Sequence, residues 1–338
     1  MPSDPSKLKI VKELNRSDIL FSLARLPATN QLFVGSSDFA IHSLDPMTEG
    51  KESKQFTGHQ SYVAGLTLAG DQLISGAYDG RLGWWDVETQ QSIRMIDAHD
   101  KWIRGVEISP DDQFISTVSD DMVCRVWNAQ TSEMVHELRG HAPQTPTRFP
   151  SMLFCSAFSP DGQLLATADK VGHVVIWDVQ TGSELATLDA PGMYTWDPKQ
   201  RIHSIGGIRS LAFTPDSKRI ACGGIGQIGN VDHLDALARI EIFDWQTGER
   251  THELAGDTHK GLVERLVFDP EGNWLFATGG DHGGFIKFID LEKNEIIKQD
   301  KAPMHVHDVA INEQHDTIYA AGHGKVIVWE LKPDETTG

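Results

Sequence analysis

The sequence predicts an all-β fold in which seven similar units of four short antiparallel strands are arranged in a ring. Three observations lead to this fold class: a recurring pair of a hydrophobic residue and an acid or amide, recurring tight turns, and almost no helical spacing of apolar residues. The pairs are Leu44-Asp45, Trp85-Asp86, Trp127-Asn128, Trp177-Asp178, Phe243-Asp244, Ile289-Asp290 and Trp329-Glu330. Subtracting neighbouring second members gives spacings of 41, 42, 50, 66, 46 and 40 residues. These spacings begin at the length of a four-stranded propeller blade and add insertions to it.

The seven pairs and their spacing therefore predict a seven-bladed β-propeller of four-stranded antiparallel blades. The blades are expected to end near residues 45, 86, 128, 178, 244, 290 and 330. Within a blade, the strands are clearest between Gly58 and Thr89, where the apolar runs YVAGLTL, QLISGA and RLGWWDV are separated by polar turns. The first turn recurs as SPDD, SPDG, TPDS and DPEG, starting at residues 109, 159, 214 and 269. Proline presets φ in these turns, and Asp or Gly tolerates the conformation that follows.

The two ends of the chain predict how the ring closes. Only eight residues follow Glu330, which is too few for a turn and another strand, so the last blade lacks its outer strand. Residues 7–14 form an isolated strand-like segment ahead of the first blade. Pairing this segment into the last blade would complete the circle and protect open strand edges. We expect residues 1–338 to form a single domain, because a ring of repeats is one body.

Composition narrows the function and location. There are 48 acidic and 30 basic residues, with a formal charge of -18, which disfavours nucleic acid and anionic membranes as partners. Cys124, Cys155 and Cys222 are odd in number and far apart, so neither a disulfide framework nor a zinc ribbon is indicated. The N-terminal residues lack a signal-sequence pattern, and no stretch is long and apolar enough to span a membrane. We therefore expect a cytoplasmic protein.

Histidines recur ahead of three of the pairs. Gly58-His59 precedes Trp85-Asp86, Ala98-His99 precedes Trp127-Asn128, and Gly140-His141 precedes Trp177-Asp178. In these motifs the chain resembles the WD-repeat family of β-propellers over essentially its whole length. The resemblance implies that a His, a Ser or Thr, an Asp and the Trp form a buried hydrogen-bonded network in each complete blade. Two sets match in full: His59, Ser75, Asp79 and Trp85, and His99, Thr117, Asp121 and Trp127.

The fourth blade keeps His141, Thr167 and Trp177 but has Val171 where the family pattern places Asp. We therefore expect it to be locked less rigidly at its upper turn. The resemblance also implies a non-enzymatic scaffold that binds a partner protein or peptide. The repeated His and Asp residues could suggest general base catalysis, but their recurrence favours a structural role. We predict no catalytic residue.

We define the upper face as the side that carries the loops before each first strand and between the second and third strands. Aligning the first strands places large or charged side chains in rows around the channel mouth, and such residues are favoured at interfaces. Three insertions, residues 142–151, 189–206 and 225–238, lengthen loops on the same face. The predicted partner-binding residues are Tyr62, Trp102, Arg104, Met152, Arg209, Tyr194, Trp196 and Arg201. Their character favours a partner with acidic or aromatic side chains.

A second hypothesis is a metal-assisted hydrolase with a site at the channel mouth. His305 and His307 alternate on a predicted strand, so both imidazoles would share one face, and His259, His282 and His323 lie in nearby loops or turns. Two ligands do not make a metal site, and we assign neither a metal nor a cofactor. Gly224, Gly226 and Gly229 match G-x-G-x-x-G, but lie between two predicted strands rather than before a full helix. Oligomeric state is left open.

Overall fold

The computed structural model describes residues 3–48, 54–197, 203–229 and 235–332. Strands β1 to β10 are Lys9–Arg25, Leu32–Ser36, Ile41–Leu44, Lys54–Phe56, Val63–Ala69, Gln72–Ala77, Arg81–Asp86, Ser92–Asp97, Ile103–Ile108 and Phe114–Ser119. Strands β11 to β20 are Cys124–Asn128, Met134–Leu138, Leu153–Phe158, Leu164–Asp169, His173–Asp178, Glu184–Asp189, Tyr194–Asp197, His203–Gly206, Ile208–Phe213 and Arg219–Ile225. Strands β21 to β28 are Leu237–Asp244, Arg250–Lys260, Leu262–Phe268, Leu275–Gly280, Gly284–Asp290, Glu295–Ala302, Val306–Ile311 and Thr317–Glu330. The helices in these residues are two short 3-10 turns, Pro5–Lys7 and Pro191–Met193.

All strand pairs are antiparallel, and most of the strands form sheets of four. These sheets are β5 to β8, β9 to β12, β13 to β16, β19 to β22 and β23 to β26, each with its strands in sequential order. The all-β propeller architecture of four-stranded antiparallel blades is confirmed. In the described part of the chain, no helix is long and apolar enough to cross a membrane.

The predicted count of seven separate blades is corrected to six large sheets. The sixth sheet has six strands in the order β27-β28-β1-β2-β3-β4. The first half of β1 pairs with β28, with Lys9 opposite Glu330, and its second half pairs with β2, with Arg25 opposite Leu32. The units that the sequence counted as last and first therefore share one sheet, because the 17-residue strand β1 runs through both without a break. A separate two-stranded hairpin, β17 and β18, lies in an insertion.

The hydrophobic-acid pairs mark the ends of third strands. Strand β7 ends at Asp86, and β11 ends at Asn128, with a fourth strand following each. The acid or amide builds the turn into that fourth strand: Asp86 Oδ1 accepts from the Thr89 backbone N–H, and Asn128 Oδ1 accepts from that of Thr131 at 2.8 Å. Such side-chain turns are typical of Asp and Asn. The four-stranded sheets consequently end one strand later than the predicted blade ends.

The first strand of each unit carries a β-bulge at the same place. In each case one residue is skipped in the pairing with the second strand, and a bulge of this kind re-aims a side chain. The skipped residues are Phe21, Ala64, Arg104, Phe154, Arg209, Glu264 and His307. Apolar clusters fill the space between neighbouring sheets, and a Cβ added to Gly65 would lie 2.7 Å from the Val106 nitrogen. The first strands therefore pack closely around the axis, and their bulge residues face the channel.

Candidate functional site at the upper face

Buried hydrogen-bonded networks connect the upper loops to the strands below them. Trp85 Nε1 donates to Ser75 Oγ at 2.7 Å, and His59 Nε2 lies 2.7 Å from the same oxygen. His59 Nδ1 is 3.1 Å from Asp79 Oδ2. A carboxylate can only accept, so Nδ1 carries a proton and donates it to Asp79.

The next sheet repeats this arrangement. His99 lies 2.8 Å from Thr117 Oγ1 through Nε2 and 2.9 Å from Asp121 Oδ2 through Nδ1, and Trp127 Nε1 donates to the same threonine at 2.9 Å. Burial would raise the pKa of Asp121, but His99, the Val123 N–H and Arg125 outweigh it and hold that pKa well below its usual range. The charged carboxylate thus helps to lock the upper turn.

The expected gap in the fourth blade is wrong, because another acid completes its network. His141 Nδ1 lies 3.1 Å from Asp169 Oδ2, while its Nε2 lies 2.8 Å from Thr167 Oγ1, which also accepts from Trp177. Asp169 is two residues after Thr167 on β14, and residues two apart share a strand face. Its carboxylate therefore reaches His141 directly, so the network does not need an acid at the position of Val171.

These networks are unsuited to nucleophilic catalysis. Ser75, Thr117 and Thr167 are completely buried, and each hydroxyl already contacts both a tryptophan N–H and a histidine nitrogen. A nucleophile must instead be exposed to substrate and activated by an adjacent base. The repeated polar residues satisfy one another and hold the upper turns in place.

The bulge residues line a small cavity of about 170 Å³ at the upper end of the channel. Arg209 lies over the Phe154 ring, with its guanidinium carbon 3.4 Å from the ring centroid. Burial lowers the pKa of Arg209, and within the described part of the chain its Nε has no hydrogen-bond partner. Arg104 is different, because it binds both oxygens of Asp120 at 2.8 and 2.7 Å. The cavity thus contains the guanidinium of Arg104, which is paired with a carboxylate, and that of Arg209, whose Nε is left unpaired by the described residues.

An aromatic strip, comprising Phe39, Tyr62, Tyr78 and Trp102, runs along the rim beside this cavity. Tyr62 lies 5.7 Å from Phe39 and 5.8 Å from Tyr78, measured between ring centroids. Tyr78 stacks on Trp102 at 4.6 Å with an interplanar angle of 3°. Arg104 supports both rings, at 4.9 Å from Tyr78 and 5.0 Å from Trp102. The strip is therefore both exposed at its ends and held rigidly from below.

The predicted partner-binding residues divide by exposure. Tyr62, Trp102 and Trp196 are 40%, 49% and 44% exposed. Arg104, Met152, Arg209 and Tyr194 are only partly exposed. Arg201 lies outside the described residues. Sequence reasoning placed the aromatic residues on the rim but missed Tyr78 and Phe39, which follow second strands and not first strands.

The three insertions contact one another and form an insertion ridge, defined here as the described parts of residues 142–151, 189–206 and 225–238. The β17–β18 hairpin lies in the middle. On one side, Thr147 Oγ1 and the Tyr194 hydroxyl are 2.9 Å apart. On the other, the Ile228 N–H donates to Thr195 Oγ1, and the Gln227 amide donates to the Tyr194 carbonyl, both at 2.9 Å. Trp196 projects from this ridge.

Three histidines meet on the opposite side of the channel mouth. The pair His305 and His307 is joined by His323, whereas His259 stacks on Phe285 and His282 contacts Asp281. Burial lowers the pKa of His307 to about 3. Burial would raise the pKa of the neighbouring Glu264, but His305, His307 and Arg209 bring it to about 2. The three imidazoles and the Glu264 carboxylate thus lie together at the channel mouth.

An ion network crosses the channel below the mouth. Arg265 on β23 donates to Asp308 at 2.7 Å and to Glu107 at 3.0 Å, and the Leu23 N–H donates to Asp308 at 2.7 Å. Burial, with the charge of Asp308, raises the pKa of Glu107 against the opposing effect of Arg265. Below the network, a cavity of about 770 Å³ opens at the lower face. The network therefore divides the channel into an upper and a lower part.

Four-stranded antiparallel sheets with His–Ser/Thr–Trp networks around a channel define a β-propeller of the WD type. A family model described as "WD domain, G-beta repeat" matches residues 50–86, 90–128 and 132–178. These segments contain the residues of the three tryptophan-containing networks. The chain therefore contains WD repeats in the residues that this model matches.

Several curated proteins are similar to the chain. Apoptotic protease-activating factor 1 of Rattus norvegicus is 32% identical over 194 residues, covering 57% of this chain and 14% of that protein. Nuclear distribution protein PAC1 of Arthroderma otae is 29% identical over 287 residues, covering 72% and 59% respectively. Protein tipD of Dictyostelium discoideum is 24% identical over 307 residues, covering 89% and 44%. The chain therefore spans less than two thirds of the length of each of these relatives.

Proposed function

We propose that this protein is a non-enzymatic scaffold whose upper face binds a partner protein or peptide. The observation that carries the proposal is the aromatic strip. Two of its exposed members, Tyr62 and Trp102, are held in place by Tyr78 and Arg104 before any partner arrives. Rigid aromatic anchors lose little conformational freedom on binding, which is why they are common among interface hot spots.

The insertion ridge supplies a second contact region on the same face. Trp196 is 44% exposed there, and the hydrogen bonds at Thr147, Tyr194 and Thr195 tie the three insertions together. Loops that served only as tolerated growth would have no reason to contact one another. The ridge and the strip together favour an extended partner segment that crosses the face between them.

The charges at the mouth favour an acidic or aromatic side chain in that segment. Arg209 faces the upper cavity with its Nε unsatisfied, so a carboxylate entering the cavity would gain a charge-assisted hydrogen bond. A groove of about 410 Å³ beside Trp102 and Met152 would accept an apolar or aromatic group. The formal charge of -18 remains a general repulsion that such a local contact must overcome.

Trp102→Ala and Trp196→Ala test the proposed scaffold function. Proteins retained by wild type in an affinity purification from native extract should be lost with either variant, and the affinity for an identified partner peptide should fall by about 30-fold. The melting temperature should change by no more than about 2 °C, because both side chains are half exposed. Arg104→Ala is a poorer test, since it would leave Asp120 unpaired.

The matched control is Ile93→Ala on the outer strand β8, where the side chain is 49% exposed, as is that of Trp102. Ile93→Ala should retain the partner. If all three variants retain the same proteins with equal affinity, the binding surface lies elsewhere. If the tryptophan variants lose stability and keep their partner, these side chains are structural.

We also propose that residues 7–14 close the ring and that the chain acts as one domain. The support is the pairing of β1 with β28, from Lys9 opposite Glu330 to Asn15 opposite Lys325. Packing of β1 against both β5 and β27 agrees with closure. A cytoplasmic location is proposed from Cys124, Cys155 and Cys222, which are all buried and free, as expected of a reducing compartment.

A further inference from the structure

The histidine cluster, defined as His305, His307 and His323, is assembled by two neighbouring strands. His305 immediately precedes β27, His307 is the bulge residue of that strand, and His323 lies within β28. The His323 N–H donates to the His305 carbonyl at 3.0 Å, which holds the two backbones together. The ring centroids are 4.4 Å apart for His305 and His307, 5.0 Å for His305 and His323, and 4.8 Å for His307 and His323.

The ring nitrogens of this cluster converge without satisfying one another. One nitrogen from each imidazole lies within 4.8 Å of the others. The Nε2 atoms of His305 and His307 are buried and have no hydrogen-bond partner among the residues that the structure describes, although buried polar atoms are nearly always paired. Glu264 Oε1 is 3.4 Å from His305 Nε2, which is within ion-pair distance but longer than a normal N–H···O hydrogen bond. Two buried nitrogens are therefore left with lone pairs or protons unmatched.

We propose that His305, His307 and His323 bind a divalent transition metal ion of the zinc type at the upper channel mouth. Imidazole nitrogens bind Zn²⁺ at about 2.0–2.1 Å, which places tetrahedral ligands about 3.4 Å apart. The nitrogens, now within 4.8 Å, need move inward by no more than about 1.5 Å in total. Side-chain rotation in the partly exposed His307 and the exposed His323 supplies this movement.

The surroundings of the cluster suit a cation with an open coordination position. A carboxylate on β23, that of Glu264, lies beside it, with Oε1 3.4 Å from His305 Nε2. Three protein ligands leave a fourth position for water or for a side chain of a bound partner. Because His323 is exposed, the ion has a path from solvent. Glu264 is placed either to complete the coordination or to orient His305.

In a second group of convergent side chains, the possible ligand atoms are already paired through hydrogen bonds and ion pairs. Asp18, Asp38 and His42 also bring ligand atoms within 4.8 Å. There, however, Asp18 accepts from Arg16 at 2.8 Å and from Ser36 at 2.6 Å, and His42 lies 2.9 Å from Asp38. Ion pairs and hydrogen bonds explain that geometry without a metal. In the histidine cluster, by contrast, Glu264 lies near only one of the two buried Nε2 atoms, that of His305, and the Nε2 atom of His307 has no hydrogen-bond partner among the described residues.

The test is a calorimetric titration of untagged, chelator-treated protein with ZnCl₂, followed by visible spectroscopy with Co²⁺ as a coordination probe. Wild type should bind one equivalent of Zn²⁺ with a micromolar or tighter Kd, and Co²⁺ should give the intense absorption of a low-coordinate site. His323→Gln should weaken binding by at least about tenfold. This exposed position keeps folding intact, as an unchanged melting temperature of the metal-free variant will show.

His282→Gln is the control, because His282 is 88% exposed and lies outside the cluster; it should bind as wild type does. Glu264→Gln should weaken Zn²⁺ binding, whereas Mg²⁺ should not bind to any variant. The proposal is overturned if wild type binds no Zn²⁺ in this range. It is equally overturned if His323→Gln and wild type bind with the same affinity and Co²⁺ spectrum.

Discussion

At the residue scale, a side chain's role depends on which neighbours its strand presents. Asp169 and Asp121 do the same work, yet they follow their threonines by two and four residues. Asp169 shares a strand face with Thr167, while Asp121 lies in a turn that folds back toward His99. A search for an acid four residues after the threonine finds Asp121 and misses Asp169. The chemical requirement is a carboxylate within reach of Nδ1, and two backbone routes meet it.

Asp121→Asn tests the charge in this network through the pH dependence of stability. The folded-state pKa of Asp121 lies below its unfolded value, so the carboxylate stabilises the fold above about pH 4 and this contribution is lost as the pH falls below that value. The variant should lose about 2 kcal/mol at pH 7. Its stability should also fall less steeply than that of wild type in acid.

Denaturant unfolding between pH 7 and pH 3 measures both effects. Asp97→Asn is the matched control, since the Asp97 side chain is 94% exposed, and it should follow the wild-type profile. Equal slopes for Asp121→Asn and wild type would show that the carboxylate contributes no pH-dependent stability.

At the element scale, the three insertions form one structural unit through hydrogen bonds between them. The sequence shows their lengths, but their contact depends on strands that lie far apart in the chain. Thr147 and Tyr194 are 47 residues apart and meet through their hydroxyls, and Ile228 reaches Thr195 from the next loop. Such cross-links order the ridge before binding and lower its ordering cost.

Tyr194→Phe tests this ordering by removing only the hydroxyl. Loss of one hydrogen bond of about 1 kcal/mol should raise amide exchange about fivefold in residues 145–149. The melting temperature should stay within about 1 °C, because the ridge lies outside the main sheets. Hydrogen exchange followed by mass spectrometry makes the measurement. Tyr62→Phe is the control, and unchanged exchange in Tyr194→Phe would mean that the hydroxyl does not order the ridge.

At the scale of the whole molecule, the ends of the chain and the centre of the ring carry its long-range contacts. Strand β1 pairs with β28 and with β2, so one strand joins the N-terminal and C-terminal parts of the sequence. At the centre, Arg265 reaches Glu107 across the channel, over a sequence separation of 158 residues. Both contacts link parts of the protein that no local pattern connects.

Deleting residues 1–14 tests the proposed closure. Without this segment the edge of β28 is open and the cross-strand contacts from Lys9 to Leu14 are lost. The melting temperature should fall by several degrees, since 1 kcal/mol corresponds to about 2–4 °C in proteins of about 150–250 residues and to less in a longer chain, and differential scanning calorimetry measures the change. Deletion of residues 1–3 is the control. An unchanged melting temperature in the longer deletion would refute closure by this segment.

The sequence by itself determined the repeating strands and the polar turns that separate them. These features depend on neighbours within one unit, such as Asp86 with Thr89. Only the tertiary structure decided that the first and last units share a sheet, that Asp169 completes a network, and that His323 joins His305 and His307. These outcomes depend on bulges, register and contacts between distant strands. Local side-chain patterns determine which strands form, whereas the packing of those strands around the axis determines which side chains meet.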